Sequence, residues 1–143
     1  KIAIRKYHKN DRVRTISSYI IHGRENIEYS YMLFEEGKNY FLQHQYQEAS
    51  EKFIEAYKLN PEDYSIIENI GMSLVKLGKF KEAIKYFKIV IEEKNIQDGK
   101  SYFGIATCYE ALNDMEKACK NLIISMEYNY KAAFKLYAML CGK

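Results

Sequence analysis

The chain repeats one pattern of small and large residues at a nearly constant interval. The first copy consists of Gly37, Tyr40, Ala49, Phe53, Ala56 and Pro61. The same residue types recur 34 positions later, at Gly71, Leu74, Ala83, Phe87 and Val90. A third copy, displaced by 35 positions, consists of Ala106, Tyr109, Ala118, Leu122 and Ser125. Such intervals are typical of arrays of helix-turn-helix units, with one residue inserted here near Gln97 and Asp98.

The composition within each copy predicts a pair of antiparallel helices. Seven glycines and one proline in 143 residues leave room for long helices and argue against hairpins. Two helices approach closely where a small side chain faces a large one. We therefore expect the repeated small residues to lie where the paired helices touch. These residues are Gly37, Gly71 and Ala106 on the first helices and Ala49, Ala83 and Ala118 on the second.

Short stretches midway through each copy predict the turns between the paired helices. They are residues 44–45, 77–79 and 112–114, and residues 60–63, which include Pro61, close the first unit. Gly78 and Asn113 tolerate the left-handed backbone conformation that ends many helices. His44 stands at the equivalent place in the first unit, and a lone histidine in a turn gives no indication of chemistry.

This pattern resembles the tetratricopeptide repeat family over residues 30–130. The resemblance implies an all-α fold, a right-handed superhelix of three helix-turn-helix repeats with an N-terminal helical extension and a C-terminal capping helix. We place the repeats at about residues 30–63, 64–97 and 99–130, and the capping helix at 131–143. Residues 1–29 are predicted to form a basic arm and the helical extension.

The N-terminal region carries both charge and an apolar helix face. The first 14 residues have a net charge of +5, in a chain whose total is +3. Val13, Ile16 and Ile20 fall on one face of a predicted helix that Gly23 ends. A second helix is predicted from Glu25 into the first repeat.

The C-terminal segment repeats the spacing of the opening helix of a unit, at Phe134, Tyr137, Ala138 and Cys141. A terminal repeat needs a polar outer face, because an inner repeat is apolar on both sides. This segment is instead rather apolar. We therefore expect either that the chain continues beyond Lys143 or that this end makes a contact, with homo-oligomerisation through the C-terminal helix as one form of it.

Three cysteines bear on the cellular setting. Cys108, Cys119 and Cys141 are an odd number without CxxC spacing, which fits neither a disulfide framework nor a zinc site. We therefore expect reduced thiols and a cytoplasmic location. No apolar run approaches the roughly 18 residues of a membrane-spanning helix, and no secretory signal is visible. A membrane is not an expected partner.

The sequence contains no constellation that indicates catalysis. His8, His22 and His44 are the only histidines, and none has the spacing of a metal site such as HExxH. There is no glycine-rich phosphate loop, and adjacent carboxylates such as Glu35 and Glu36 are explained by solvated helix surfaces. We predict no enzymatic activity, no catalytic residue, no metal and no cofactor.

The resemblance implies a concave groove lined by the first helix of each repeat. In the family, this groove lies on the side of that helix turned away from the packing glycine. Carried over position by position, the candidate peptide-binding residues are Tyr31, Phe34, Lys38, Phe41, Leu42, Asn69, Met72, Lys76, Lys100, Phe103 and Thr107. Glu68 and Gly104 fall on the same predicted lining.

The floor of this groove is apolar, and such surfaces usually contact a partner. Two occupants are open at this stage, a peptide or helix of another protein and the apolar face of the chain's own N-terminal helix. Some family members hold the C-terminal carboxylates of heat-shock chaperones in a clamp of lysines, asparagines and an arginine. Asn69 and Lys100 match that clamp, whereas Phe34, Lys38 and Gly104 do not. The groove lysines and Asn69 nevertheless predict a positive rim for an acidic peptide.

The expected function is that of a non-catalytic protein–protein interaction module. Nucleic acid is not the expected partner, because packing accounts for most of the 14 tyrosines and seven phenylalanines. The alternative is a regulatory or oligomerisation segment of a larger polypeptide that could include an enzyme.

Overall fold

The structure is a computed structural model that describes residues 12–142, with side chains from Gly23 onward. The basic arm of residues 1–11 and the side chains of Val13, Ile16 and Ile20 lie outside the described residues. Seven helices follow one another in the described part of the chain. They are α1 (Arg12–Leu42), α2 (Tyr46–Leu59), α3 (Tyr64–Lys76), α4 (Phe80–Lys88), α5 (Gly99–Ala111), α6 (Met115–Glu127) and α7 (Lys131–Leu140). A π-helical segment, Ile89–Glu93, prolongs α4.

The helices form three antiparallel pairs, α1 with α2, α3 with α4 and α5 with α6. Each pair packs on the next, and α7 packs on α6, so the stack is the predicted all-α right-handed superhelix with a capping helix. The connection between the second and third pairs, residues 94–98, has one residue more than residues 60–63 between the first and second. The extra residue of the third copy therefore lies in this connection, as the sequence predicts.

The three turns within the pairs share one backbone geometry. His44, Gly78 and Asn113 have positive φ angles of 62°, 75° and 62°. In each turn the next residue donates its backbone N–H to a carbonyl five residues earlier, as in Gln45 to Tyr40 at 2.9 Å and in the two equivalent bonds. This closure of the helix end is the Schellman motif, and it confirms the predicted turns.

A phenylalanine ring fills the space that each glycine leaves in the helix interface. A Cβ atom added to Gly37 would lie 2.5 Å from the ring of Phe53, and one added to Gly71 would lie 2.8 Å from the ring of Phe87. Phe53 and Phe87 are completely buried, as are the interface alanines Ala49, Ala83 and Ala118. The close approach of the paired helices therefore depends on the residue types that repeat in the sequence.

A buried serine joins the helices of the first and third pairs. The Ser30 hydroxyl of α1 donates to the Ala56 carbonyl of α2 at 2.8 Å. In the third pair the hydroxyl comes from the opposite helix, since Ser125 of α6 donates to the Gly99 carbonyl of α5 at 2.6 Å. The two bonds join equivalent positions of the repeat, but the hydroxyl donor is on the first helix in one pair and on the second helix in the other.

Helix α1 is continuous through Gly23, and the prediction that Gly23 ends a helix is wrong. An internal glycine costs a helix only about 1 kcal/mol relative to alanine. No proline lies between Arg12 and Leu42 to interrupt it further. The helical extension and the first helix of the first repeat are therefore one element of 31 residues.

The expectation of reduced cysteines is also wrong for two of the three. Cys119 of α6 and Cys141 after α7 form a disulfide with an S–S distance of 2.05 Å and a Cα–Cα distance of 5.9 Å. Cys108 is a free thiol in the core. Because the partners are 22 residues apart and α7 turns back along α6, the pairing follows from the fold and not from a spacing motif.

Candidate functional site, the concave groove

Four of the predicted groove residues surround one cavity between α1 and α3. Lys38, Phe41 and Leu42 line it from α1, and Asn69 lines it from α3. Its volume is about 220 Å³. Leu42 is 76% exposed at its edge, and Met72 lies half-buried on the same helix as Asn69. This cavity is wide enough for an apolar side chain of a ligand.

A second, smaller cavity lies between the middle of α1 and the beginning of α3. It measures about 90 Å³ and is lined by Tyr31 and Phe34 together with residues of α1, α3 and the connection between repeats. Tyr31 is 63% exposed, whereas Phe34 packs against Phe53 with ring centroids 5.6 Å apart. The aromatic side of α1 thus offers two adjacent depressions.

Sequence reasoning missed that the Phe41 ring is supported by the next helix. Its centroid lies 5.0 Å from that of Tyr46, in an edge-to-face arrangement. The Tyr46 hydroxyl and His44 Nδ1 are hydrogen-bonded at 2.7 Å. The positive φ of His44 brings Tyr46 back toward α1, so the shape of the turn orients this wall of the cavity.

The lysines of the predicted positive rim are partly neutralised. Lys38 Nζ lies 2.7 Å from Glu35 Oε1 and 5.0 Å from the centroid of the Phe34 ring. Lys100 Nζ lies 3.9 Å from Glu68 Oε1. Lys76 is exposed and makes no ion pair with the residues from Gly23 to Gly142. The groove is therefore less positive than its lysines alone suggest.

Glu68 is a buried carboxyl group between the second and third repeats. It is 4% exposed, and its Oε2 accepts a hydrogen bond from the Ser101 hydroxyl at 2.9 Å. The pKa of Glu68 is raised to about 7, chiefly because burial disfavours the charged carboxylate. The Asp98 charge also raises this pKa, whereas the Ser101 hydrogen bond and the Lys100 charge lower it. Asp98 itself caps α5 by accepting from the Ser101 N–H at 3.1 Å.

The predicted residues of the third repeat are shared between the groove and the core. Phe103 packs against Tyr130, with ring centroids 5.2 Å apart. The Thr107 hydroxyl donates to the Gly104 carbonyl at 2.8 Å. Gly104 is buried, and a Cβ there would lie 2.6 Å from the Phe87 ring, so its place on the groove lining is wrong. An arginine of the chaperone clamp could not replace it without displacing that ring.

The chain's own N-terminal helix does not fill the groove. Residues 12–29 continue α1 along its axis, which at about 1.5 Å per residue makes this helix about 45 Å long. A helix cannot fold back over a face that it lines itself. The alternative in which the N-terminal helix acts as an internal ligand is therefore wrong for this structure.

No cluster of three or more potential metal ligands occurs in the part of the chain that the structure describes. Within the same residues, no helix combines the length and the apolar character needed to cross a bilayer.

Three antiparallel helix pairs with a shared concave side define a helical repeat protein. The tetratricopeptide repeat model matches residues 34–94 and 68–120, which together span more than half of the chain. The chain therefore belongs to the tetratricopeptide repeat family.

The chain is also similar to individual proteins of known name. It is 38% identical over 64 residues to the chloroplastic protein FLUORESCENT IN BLUE LIGHT of Arabidopsis thaliana, a match that covers 41% of this chain and 20% of that relative. The chain thus matches about a fifth of the relative's length.

Two solved structures cover most of the chain. The Arabidopsis OM64 TPR domain superposes with a TM-score of 0.72 at 24% identity, over 80% of this chain and 96% of that one. The first TPR domain of Spaghetti (RPAP3), bound to an HSP90 peptide, gives 0.73 at 22% identity, over 80% and 91%. At these identities the likeness shows the fold.

Proposed function

We propose that the chain is a non-catalytic protein-interaction module that binds a peptide or helix of a partner protein in the concave groove. The observation that carries this proposal is the cavity of about 220 Å³ formed by Lys38, Phe41, Leu42 and Asn69. A second depression of about 90 Å³ beside Tyr31 and Phe34 extends the same aromatic side. Two adjacent depressions on one helix suit successive apolar side chains of a ligand.

The charges of the groove favour a partner with apolar anchors over a strongly acidic one. Lys38 and Lys100 are already paired with Glu35 and Glu68. An acidic ligand would have to compete with Glu35 for Lys38 and, to the extent that Glu68 is ionised, with Glu68 for Lys100. Lys76 could fix the register of the ligand, as could the Asn69 amide, whose Nδ2 also donates to the Ser65 carbonyl at 2.7 Å.

The test of the groove is substitution of its apolar side chains by a charge. We expect Phe41→Asp and Met72→Asp to reduce capture of the partner from a lysate at least tenfold, because a buried carboxylate would face the apolar anchor. Ile123→Asp is the matched control, since Ile123 is an apolar residue 41% exposed on α6, a second helix of a pair. Unchanged circular dichroism establishes that the variants fold. Undiminished capture by both groove variants would contradict the assignment.

The HSP90 peptide in the RPAP3 structure supports a role in peptide binding, without naming this chain's partner. The cytoplasmic location stays a prediction, because the relative FLUORESCENT IN BLUE LIGHT is described as chloroplastic.

A second candidate function is an oligomerisation or regulatory segment within a longer polypeptide. The exposure of two apolar side chains on the capping helix favours it, since Phe134 is 50% and Met139 59% exposed. Self-association through the capping helix predicts a dimer by light scattering, and Phe134→Asp should return the dimer to a monomer. A monomeric parent chain at all concentrations would argue against self-association.

A further inference from the structure

The disulfide fastens the end of a capping helix that otherwise packs through one small apolar cluster. Cys119 is in the second turn of α6, and Cys141 follows the last turn of α7. Both cysteines are partly accessible to solvent, and the bond joins the C-terminal end of α7 to the third repeat.

Helix α7 is short and depends on its neighbours for stability. It has ten residues, and no side chain caps its N-terminus. Isolated helices of this length are marginal in water. Ala133 is its one completely buried residue, in a small cluster with Ala106 and Leu122, and Leu136, Tyr137 and Leu140 of α7 pack partly buried against the same cluster. Without a covalent attachment, the helix would be held mainly by this cluster.

The same small cluster reaches the groove. Phe103, a predicted groove residue on α5, packs against it and against the ring of Tyr130, which directly precedes α7. Movement of α7 away from α6 would therefore remove the support of Phe103 and uncover Ala106. The position of the capping helix and the third-repeat end of the groove are thus mechanically connected.

We propose that Cys119 and Cys141 are a reversible thiol–disulfide site that fastens or releases the capping helix and thereby changes the third-repeat end of the groove. The reaction partner is a low-molecular-weight thiol such as glutathione or a dithiol protein. The effect on ligand binding rests on the proposed groove function, whereas the release of α7 does not.

Two external thiols reduce the disulfide in two steps. One external thiolate attacks a sulfur of the Cys119–Cys141 bond, forms a mixed disulfide and displaces the other cysteine as a thiolate, which takes up a proton. A second external thiol cleaves the mixed disulfide and leaves as part of an external disulfide. The protein gains two electrons and two protons, and the external thiols lose them.

The remaining cysteine does not compete in this exchange. Cys108 is completely buried, and burial raises the pKa of its thiol to about 12. Thiolate, the reactive form, is therefore scarce at this position. Exchange is confined to the pair at the capping helix, which gives the site its selectivity.

Hydrogen exchange of the full chain tests the release of α7. The chain is equilibrated in glutathione mixtures, from fully reduced to fully oxidised, and alkylation with mass analysis gives the state of each cysteine. Closure of a loop of this length shifts the opening equilibrium by about two orders of magnitude. We therefore expect reduction to speed amide exchange in α7 ten- to a hundredfold while α3 keeps its protection.

Two variants make this test specific. Cys119→Ser should behave as the reduced chain in every mixture, and Cys108→Ser should respond as the parent does. The proposal is overturned if α7 exchanges equally in both redox states, if α3 loses protection together with α7, or if glutathione leaves the pair unchanged. Phe41 does not contact the disulfide, so the effect of Phe41→Asp on groove binding and the effect of reduction on α7 are tested independently.

Discussion

Two glycines of α1, Gly37 and Gly23, differ in whether the structure has room for the methyl group of an alanine. Gly37 lies under the ring of Phe53, which is completely buried. Gly23 has no heavy atom within 4 Å of the place that a Cβ would occupy. Substitution of each glycine by alanine therefore distinguishes the effect of side-chain packing on stability from the effect of helix propensity.

We expect Gly37→Ala to lower the free energy of unfolding by about 1–3 kcal/mol, because the added methyl group would lie 2.5 Å from the Phe53 ring. Gly23→Ala should cause no loss and could add about 0.5–1 kcal/mol, since alanine restricts the unfolded chain more than glycine does. Urea unfolding followed by circular dichroism measures both. Equal effects of the two substitutions would show that the ring does not determine the requirement for glycine.

The repeated residues were predictable from the sequence because each has one packing role that recurs at a fixed interval. Gly37, Phe53 and Ala49 belong to this class. Gly104 could not be placed in the same way, because it contacts Phe87 of the preceding repeat. Contacts between repeats depend on how successive repeats are rotated relative to one another, and the residue pattern within one repeat does not reveal this rotation.

At the scale of helices, the contact between α3 and α5 contains an ionisable group. Glu68 of α3 meets Ser101 and Lys100 of α5, and Asp98 lies at the beginning of α5. The pKa of Glu68 is raised from 4.5 to about 7, so the folded chain binds its proton more tightly than the unfolded chain does. The contribution of Glu68 to the free energy of unfolding is therefore fully present at low pH and is lost as the pH rises from 4.5 to about 7.

We expect the free energy of unfolding to fall by about 1–3 kcal/mol between pH 5 and pH 8 because of this group. Glu68→Gln keeps the size and an acceptor for Ser101 but carries no charge, so it should flatten the dependence and be the more stable form at pH 8. Urea unfolding at several pH values measures this, with Glu127→Gln on the exposed side of α6 as control. Parental pH dependence in Glu68→Gln would contradict the assignment.

The turns between the paired helices were predicted well, but the extent of α1 and the disulfide were not. The turns at 44–45, 77–79 and 112–114 follow from local backbone preferences, which short sequences express. The passage of α1 through Gly23 and the pairing of Cys119 with Cys141 do not. A glycine can end a helix or lie inside it, and two cysteines 22 residues apart meet only because α7 turns back on α6.

At the scale of the whole molecule, the first turns of α1 lie away from the groove. Residues 12–26 prolong α1 beyond the end of α2, whose last turns meet Ser30, and Ile27, nearer the repeats, lines the smaller depression. The sequence alone left open whether this segment covers the groove. The continuity of one helix decided it, which no apolar pattern within residues 13–20 could have done.

We therefore expect removal of residues 1–23 to leave the set of captured proteins unchanged. Affinity capture from one lysate, with the full chain and the truncated chain as parallel baits, measures this. Circular dichroism of the truncated chain establishes that the repeats remain folded. New partners appearing only with the truncated bait would show that the N-terminal region restricts access to the groove.

The two serine hydrogen bonds limit how the repeats could be recombined. In the first pair the hydroxyl belongs to the first helix, Ser30, and in the third to the second helix, Ser125. A hybrid of α1 with α6 would bring two hydroxyls to one crowded crossing, and a hybrid of α5 with α2 would have Gly99 opposite Ala56 and no hydroxyl. Whole repeats are therefore the units that evolution or an engineer could shuffle in this chain, whereas their single helices are matched partners.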